Sequence, residues 1–254
     1  MRQAAGRHFP LSLPRRFICD LVHFAQKVPS VPVERRMQLG RVAAARARCG
    51  ERPSWCAIFT KAYAILAARR PELRTAYLSF PRPHLYEHFT NVASIAVERR
   101  IDGEECVLFG HVRSPETLSL VELNAQLRRF KEEPVSAIGS FRHALRLSRF
   151  PRPLRRSAWW LALNWGRKRA HYLGTFGISV YASVGAASLH PLSPLTTTLN
   201  YGVLGADGSL DVRIVYDHRV LDGAAVARAL GQLEDILVND VCRELSGLDA
   251  IRAA

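Results

Sequence analysis

Apolar residues along the chain switch repeatedly between the spacing of a helix and the two-residue alternation of a strand. Phe17, Leu21 and Phe24 share one face over Arg16–Lys27 and predict a short amphipathic helix that stops before Pro29. Val31–Leu39 alternates as a strand. Over Ser54–Arg69, Ala57, Phe59, Ala62, Tyr63, Ile65 and Leu66 spread apolar surface widely around a helix capped by Ser54, so this helix is expected to be largely buried. The β-rich runs Val92–Glu98 and Glu105–Val112 flank Ile101-Asp102-Gly103, a turn signal for an antiparallel hairpin. Ser114 or Pro115 opens a further helix, Glu116–Lys131, with Leu118, Leu120, Val121, Leu123 and Leu127 as its packing face. Thr175–Tyr181, Thr198–Val203 and, beyond the turn Ala206-Asp207-Gly208, Ser209–Tyr216 read as strands. A last helix spans Ala224–Leu237, capped by Asp222 and packed through Val226, Leu230, Leu233 and Leu237. The whole reads as α+β, with helices covering one face of a mixed β-sheet.

The 254 residues, 48% apolar and 23% charged, suffice for one large core without disulfides or metal. The reading is a tail over residues 1–14 followed by a single domain over 15–254. The tail carries Arg2 and Arg7 and lacks the apolar stretch of a secretory signal. Cys19, Cys49, Cys56, Cys106 and Cys242 are scattered and form no CxxC pair, which argues against a disulfide framework or a thiolate zinc site and for a reducing, cytoplasmic compartment. The best apolar run, Ala57–Ala68, is interrupted by Lys61 and is too short to cross a bilayer.

Charge changes the picture. Thirty-six Lys and Arg against 22 Asp and Glu give +14, a balance that attracts nucleic acid, an anionic bilayer or a polyanionic small molecule. Residues 141–170 hold nine Lys or Arg, no carboxylate, and three of the four tryptophans: Trp159, Trp160 and Trp165. The run from Leu154 through Arg155, Arg156, Trp159 and Trp160 to Leu161 suits a helix lying among lipid headgroups, which implies a peripheral contact with an anionic membrane. The competing reading is a solvated basic flap whose tryptophans pack on the main core. No zinc-finger, ribonucleoprotein or helix-turn-helix pattern accompanies the charge, so no nucleic acid partner is expected. Pro151 and Pro153 are expected to split the segment.

The chemistry concentrates in Tyr216-Asp217-His218-Arg219-Val220-Leu221-Asp222-Gly223, an HxxxDG pattern at a strand-to-helix junction. A strand holds an imidazole rigidly, Gly223 permits a tight turn or a close helix approach, and Asp222 can fix the local geometry. Imidazole serves as a general base near neutral pH. Other candidates are weaker. His84 and His88 have metal-compatible spacing only if helical and lack an HExxH pattern, so they read as exposed loop histidines and no metal is expected. Cys56 reads as a core thiol. Ser179 lacks a GxSxG elbow, against a serine hydrolase.

The octet resembles the signature of the dihydrolipoyl acyltransferase catalytic domain of 2-oxo acid dehydrogenase complexes, which shares its fold with chloramphenicol acetyltransferase. Gly174-Thr175-Phe176-Gly177-Ile178-Ser179 is similar to the strand that carries the family's oxyanion-stabilising hydroxyl, with Ser179 on that position. The order of elements upstream follows the family as well, so the resemblance covers roughly Arg15 to Asn239. It implies a chloramphenicol acetyltransferase-like two-layer fold and an acyltransferase using an acyl-CoA co-substrate. In that scheme His218 is the general base and Ser179 steadies the oxyanion. Asp222 organises the His218 loop, often through an arginine near the N-terminus, for which Arg15 or Arg16 is the candidate. The resemblance further implies a homotrimer with His218 and Ser179 of one site on neighbouring chains.

Departures shape the expected function. The sequence has no lipoyl domain, and hence no lipoyl group of its own, nor a subunit-binding domain or Ala/Pro-rich linker. Pro194-Leu195-Thr196-Thr197 stands where the family has an Asn-Ala-Pro-Glu-like stretch, and the 141–170 insertion precedes the Ser179 strand, where it can admit a lipid acyl chain or hold CoA phosphates. The expectation is a stand-alone acyltransferase acting on a small or lipid-like acceptor. The alternative is a catalytically silent trimer kept as a binding or membrane-associated scaffold.

Overall fold

The computed structural model describes residues 6–253, with side chains through Leu248. Met1–Ala5 of the expected tail and Ala254 of the expected domain lie outside the described residues. In chain order the elements are α1 (Leu13–Ala25), β1 (Ser30–Gln38), α2 (Gly40–Arg48), α3 (Trp55–Arg69), β2 (Thr75–Leu78), β3 (His84–Glu87), β4 (Val92–Ile101), β5 (Glu104–Arg113) and α4 (Leu120–Glu132). There follow α5 (Gly139–Leu147), α6 (Arg152–Asn164), α7 (Gly166–Leu173), β6 (Phe176–Ile178), β7 (Thr197–Tyr201), β8 (Ser209–Asp217), α8 (Gly223–Ile236), a π-helical turn and α9 (Cys242–Ala253).

One six-stranded sheet, ordered β1-β8-β7-β6-β4-β5, organises the molecule, and β2 and β3 form a separate ribbon. The large sheet is mixed: β6 runs parallel to both β4 and β7, whereas the β4/β5, β7/β8 and β1/β8 pairs are antiparallel. Helix α3 is apolar on nearly every side and packs against α4 and α8, which in turn lie on β4, β5 and β8. Phe59 stacks on Tyr201 of β7 at 4.1 Å and Tyr63 meets Phe176 of β6 at 4.7 Å, so this helix fastens the middle of the sheet to its helical layer. Edge strand β1 is mostly exposed and bears charge: Glu34 pairs with Arg213 of β8, and Arg35 reaches Glu234 of α8 at 2.8 Å. Such charge discourages edge-to-edge strand addition.

The pattern-based elements are present with shifted ends. Helix α1 begins at Leu13, ahead of Arg16, because Ser12 caps it and Pro14 occupies its first turn. Helix α4 starts at Leu120 rather than Glu116, since Ser119 and Glu122 form a reciprocal capping box while Ser114 turns left-handed at φ 47°. The basic segment folds as three helices. Pro151 and Pro153 sit at the start of α6, and a second break follows at Trp165 where Asn164 turns its side chain to the β2–β3 loop.

Trp159 is buried, stacking on Phe24 at 5.9 Å and meeting Phe17 at 5.5 Å in a small cluster between α1 and α6, apart from the main core. Beneath it Arg155 donates to Asp20 at 2.6 Å, both side chains being almost wholly buried. Trp160 and Trp165 stay exposed. None of the three therefore packs on the main core as the flap reading had it: Trp159 is buried against α1 instead, and the other two face outward. Among the described residues no helix is long and apolar enough to cross a membrane.

Candidate active site

Strand β8 delivers the octet. Antiparallel pairing with β7 and β1 holds it up to Asp217, whose amide donates to Thr196 O at 2.8 Å. The chain then leaves the sheet in a tight turn in which the Val220 and Leu221 amides return to Asp217 O at 3.0 and 3.1 Å. His218 sits on this turn, its amide donating to Pro29 O at 3.0 Å just ahead of β1. Its ring lies 5.6 Å from that of Tyr216, and half of the side chain is open to solvent. The main chain of His218 is thus fixed on two sides while its imidazole faces outward.

Around it lies a charged set that the octet contained without revealing its role. Buried Asp217 accepts both Nε and a terminal nitrogen of Arg219, at 2.9 and 2.6 Å, and the Arg219 guanidinium lies 4.2 Å over Tyr77 of β2. Arg169 of α7 is buried and donates to Leu163 O and Pro194 O, both at 2.8 Å. Burial drives its guanidinium down to about 10, Asp217 works against that shift and Arg219 adds to it. The Pro194–Thr197 departure has a structural use here. Thr196 and Thr197 donate to Thr75 O and Leu73 O, tying the β2 ribbon to the start of β7. His190, a site neighbour the sequence did not single out, places Nε2 2.8 Å from Ser30 Oγ, and Ser30 pairs with Asp217.

Asp222 occupies the N-cap position of α8, and its carbonyl accepts from Ala225 at 3.0 Å, yet its carboxylate makes no capping bond. That group lies 3.7 Å from His218 Nδ1, beyond hydrogen-bond length, and is exposed. Arg15 and Arg16 are engaged elsewhere within the chain: Arg15 with Glu104 at 3.4 Å and Arg16 with Leu11 O at 3.1 Å. Within this chain neither is seen to pair with Asp222. Gly223 opens α8 under Tyr216, where an added Cβ would stand 3.3 Å from the phenol oxygen, so the close helix approach expected of it is present.

Ser179 follows β6 directly. Its amide donates to Leu199 O at 3.1 Å and its carbonyl accepts from the Asn200 side chain, fixing the residue against β7. Upstream, Gly174 turns at φ 88° with Ser94 and Val92 so near that a side chain there would collide with them. The register places Ser179 level with Asn200 of β7 and Arg213 of β8. His218 lies five residues further along β8 and two strands across, roughly 15–20 Å away at ordinary strand spacings. One chain therefore does not bring Ser179 and His218 together.

The remaining candidates fall outside the site. His84 is exposed but lies on strand β3, neither helix nor loop, while His88, just past that strand, is buried, contrary to the exposed reading. Burial first, then the charges of Arg169 and Arg74, lower the His88 imidazole to about 4. Burial likewise raises the Cys56 thiol, as suits a core position.

Comparison with solved structures places the architecture. A dihydrolipoamide acetyltransferase from Azotobacter vinelandii superposes with a TM-score of 0.66 at 20% identity, over 92% of each chain. A probable dihydrolipoamide acetyltransferase from Listeria monocytogenes gives 0.67 at 15% identity, over 92% of this chain and 95% of that one. Chloramphenicol acetyltransferase gives 0.51 at 14% identity, over 90% and 96%. The chain has the chloramphenicol acetyltransferase-like fold. No protein-family model matches the sequence, and no curated protein matches it by sequence. In this acyltransferase-like fold the octet occupies the junction of β8 and α8, and the Gly174–Ser179 run crosses the sheet as its short central strand β6.

Proposed function

We propose that this protein is an acyltransferase that moves an acyl group from a coenzyme A thioester to a small or lipid-like acceptor, in a homotrimer whose sites are completed across the seams between chains. The observation that carries the reading is the outward-facing, doubly anchored His218, set apart within its own chain from the equally fixed Ser179. The Azotobacter acetyltransferase, whose fold this chain shares, is described by the roles of a serine, a histidine and an asparagine in its mechanism. That histidine and asparagine stand four residues apart, as His218 and Asp222 do here.

In the proposed reaction the acceptor thiol, hydroxyl or amine gives its proton to His218 as it attacks the thioester carbonyl. With Nδ1 turned toward Asp222, Nε2 is the nitrogen left for the acceptor. Charge moves onto the thioester oxygen, where the Ser179 hydroxyl of the neighbouring chain donates a hydrogen bond. Collapse of the adduct reforms the carbonyl and breaks the C–S bond, and the departing thiolate takes the proton back from the imidazolium. Asp222 acts as a positioning residue beside the ring, and the Asp217–Arg219 pair holds the turn.

The test is release of free thiol from acyl-CoA by the purified protein with candidate acceptors, compared with His218→Ala. A loss of about 10²- to 10⁴-fold supports the reading. Equal slow rates for both proteins overturn it in favour of a non-catalytic binding trimer.

A further inference from the structure

Helices α1 and α6 enclose an open groove of about 480 Å³, lined by His23, Phe24, Lys27, Arg156, Trp160 and Leu161. Its chemistry is cationic above an aromatic floor. Lys27 Nζ stands 5.2 Å from the centre of the Phe24 ring. Arg156 Nε is 3.8 Å from Asp20 Oδ1, but Asp20 already holds Arg155 at 2.6 Å, so two guanidinium groups share one carboxylate. Desolvation and then the charges of Arg156, Lys27 and Arg152 hold the His23 imidazole below its ordinary pKa, with Asp20 opposing them.

An apolar ridge borders the groove. Leu154 and Leu161, seven residues apart on α6, are 58% and 53% exposed, and Trp165 at the end of the helix is 56% exposed. Phe80, from the β2–β3 loop, meets the Trp160 ring edge-on at 5.3 Å. Asn164 Oδ1 accepts from the Ser79 and Phe80 amides at 3.0 and 3.1 Å, which holds Phe80 beside the ridge. No Asp or Glu occurs anywhere between Glu133 and Asp207.

We propose that this face docks the protein on an anionic phospholipid bilayer, with headgroup phosphate in the α1–α6 groove and the Leu154–Trp165 ridge among the upper acyl chains. Charge and apolarity select that occupant together. A second copy would bring the same cations face to face, and nucleic acid would leave exposed leucines without an apolar partner. A bilayer of anionic lipid satisfies both, because guanidinium and ammonium groups meet phosphate while indole and leucine enter the interface. The surface stands independently of the acyl-transfer reading.

The experiment is co-sedimentation with vesicles of equimolar phosphatidylcholine and phosphatidylglycerol, against pure phosphatidylcholine, at low and high salt. Wild-type protein is expected to pellet with the anionic vesicles only, less so at high salt. The double variant Lys27→Glu/Arg152→Glu is expected to lose more than about tenfold in partitioning. Leu154→Asn/Leu161→Asn is expected to weaken binding without changing the circular dichroism of the protein, since both positions are exposed. His218→Ala should bind as the wild type does, which separates failure of docking from failure of catalysis. Protein left in the supernatant with anionic vesicles at low salt overturns the proposal. Binding unchanged in the charge-reversed variant overturns it too. So does equal binding to duplex DNA or polyglutamate that ignores Leu154→Asn/Leu161→Asn, because charge alone would then explain the surface.

Discussion

At the scale of single residues, the side chains that matter divide into those held still and those left open. Ser179 is pinned by its backbone amide and carbonyl, and in the proposed reaction its hydroxyl is the part that acts. Ser179→Ala is expected to cut acyl transfer by about 10²- to 10³-fold, the cost of one oxyanion donor, while the melting temperature stays close to that of the wild type. Asp20 presents the opposite case. Its burial with Arg155 makes Asp20→Ala expensive, about 3–5 kcal/mol in chemical denaturation, because Arg155 is left charged and unpaired. A double change to apolar residues at both positions should recover most of that loss.

His88 gives a pH signature of the fold. Its folded value of about 4 lies below the ordinary imidazole value, so between those limits the unfolded chain binds more protons than the folded one. Stability is then full above about pH 6.5 and falls as the pH drops toward 4. Thermal melts across that window should show the fall, and His88→Gln should lessen it, the remainder belonging to His111 of β5, whose imidazole burial also lowers to about 4. The strand-to-helix placement of His218 was legible because its context is local, eight consecutive residues. His88 was misread as exposed because what buries it, the packing of the β2–β3 ribbon, is not local.

Secondary-structure elements carry a second set of consequences. The sequence reading capped α8 with Asp222 but opened α4 too early, at Ser114 or Pro115, and so missed the cap that uses its side chain. Ser119, the N-cap of α4, accepts from the Glu122 amide, so Ser119→Ala is expected to cost about 1 kcal/mol in urea titrations. Asp222 of α8 makes no such bond, and Asp222→Ala should leave stability within about 0.5 kcal/mol while lowering activity. Helix α8 by its periodicity, helix α3 by its length and apolar content, and the hairpin of β4 with β5 were legible from pattern alone. Helix α2 was not, because only Val42 and Ala45 of its nine residues are buried and its arginines and alanines leave no stripe to read. The ribbon of β2 and β3 escaped for a related reason: β3 is exposed along almost all of its length, so no alternation marks it.

For the molecule as a whole, the decisive relation is the one between Ser179 and His218, and no spacing along the chain contains it. It follows from register across β6, β7 and β8, which sets the two residues at different heights and two strands apart. A mixing experiment reads this directly. His218→Ala and Ser179→Ala proteins, each nearly inactive, should regain about one quarter of wild-type activity when unfolded and refolded together in equal amounts, the share of seams that unite two intact residues in a randomly assembled trimer. No recovery would mean that the residues do not act across chains.

Helix α1 has one further consequence. Its last turn supplies His23 and Phe24 to the groove, and the short run beyond it adds Lys27 and ends at Pro29, whose carbonyl holds the His218 amide. Anything that seats itself against α6 therefore presses on the helix whose following turn holds the His218 amide, at the first rung of the β1–β8 ladder.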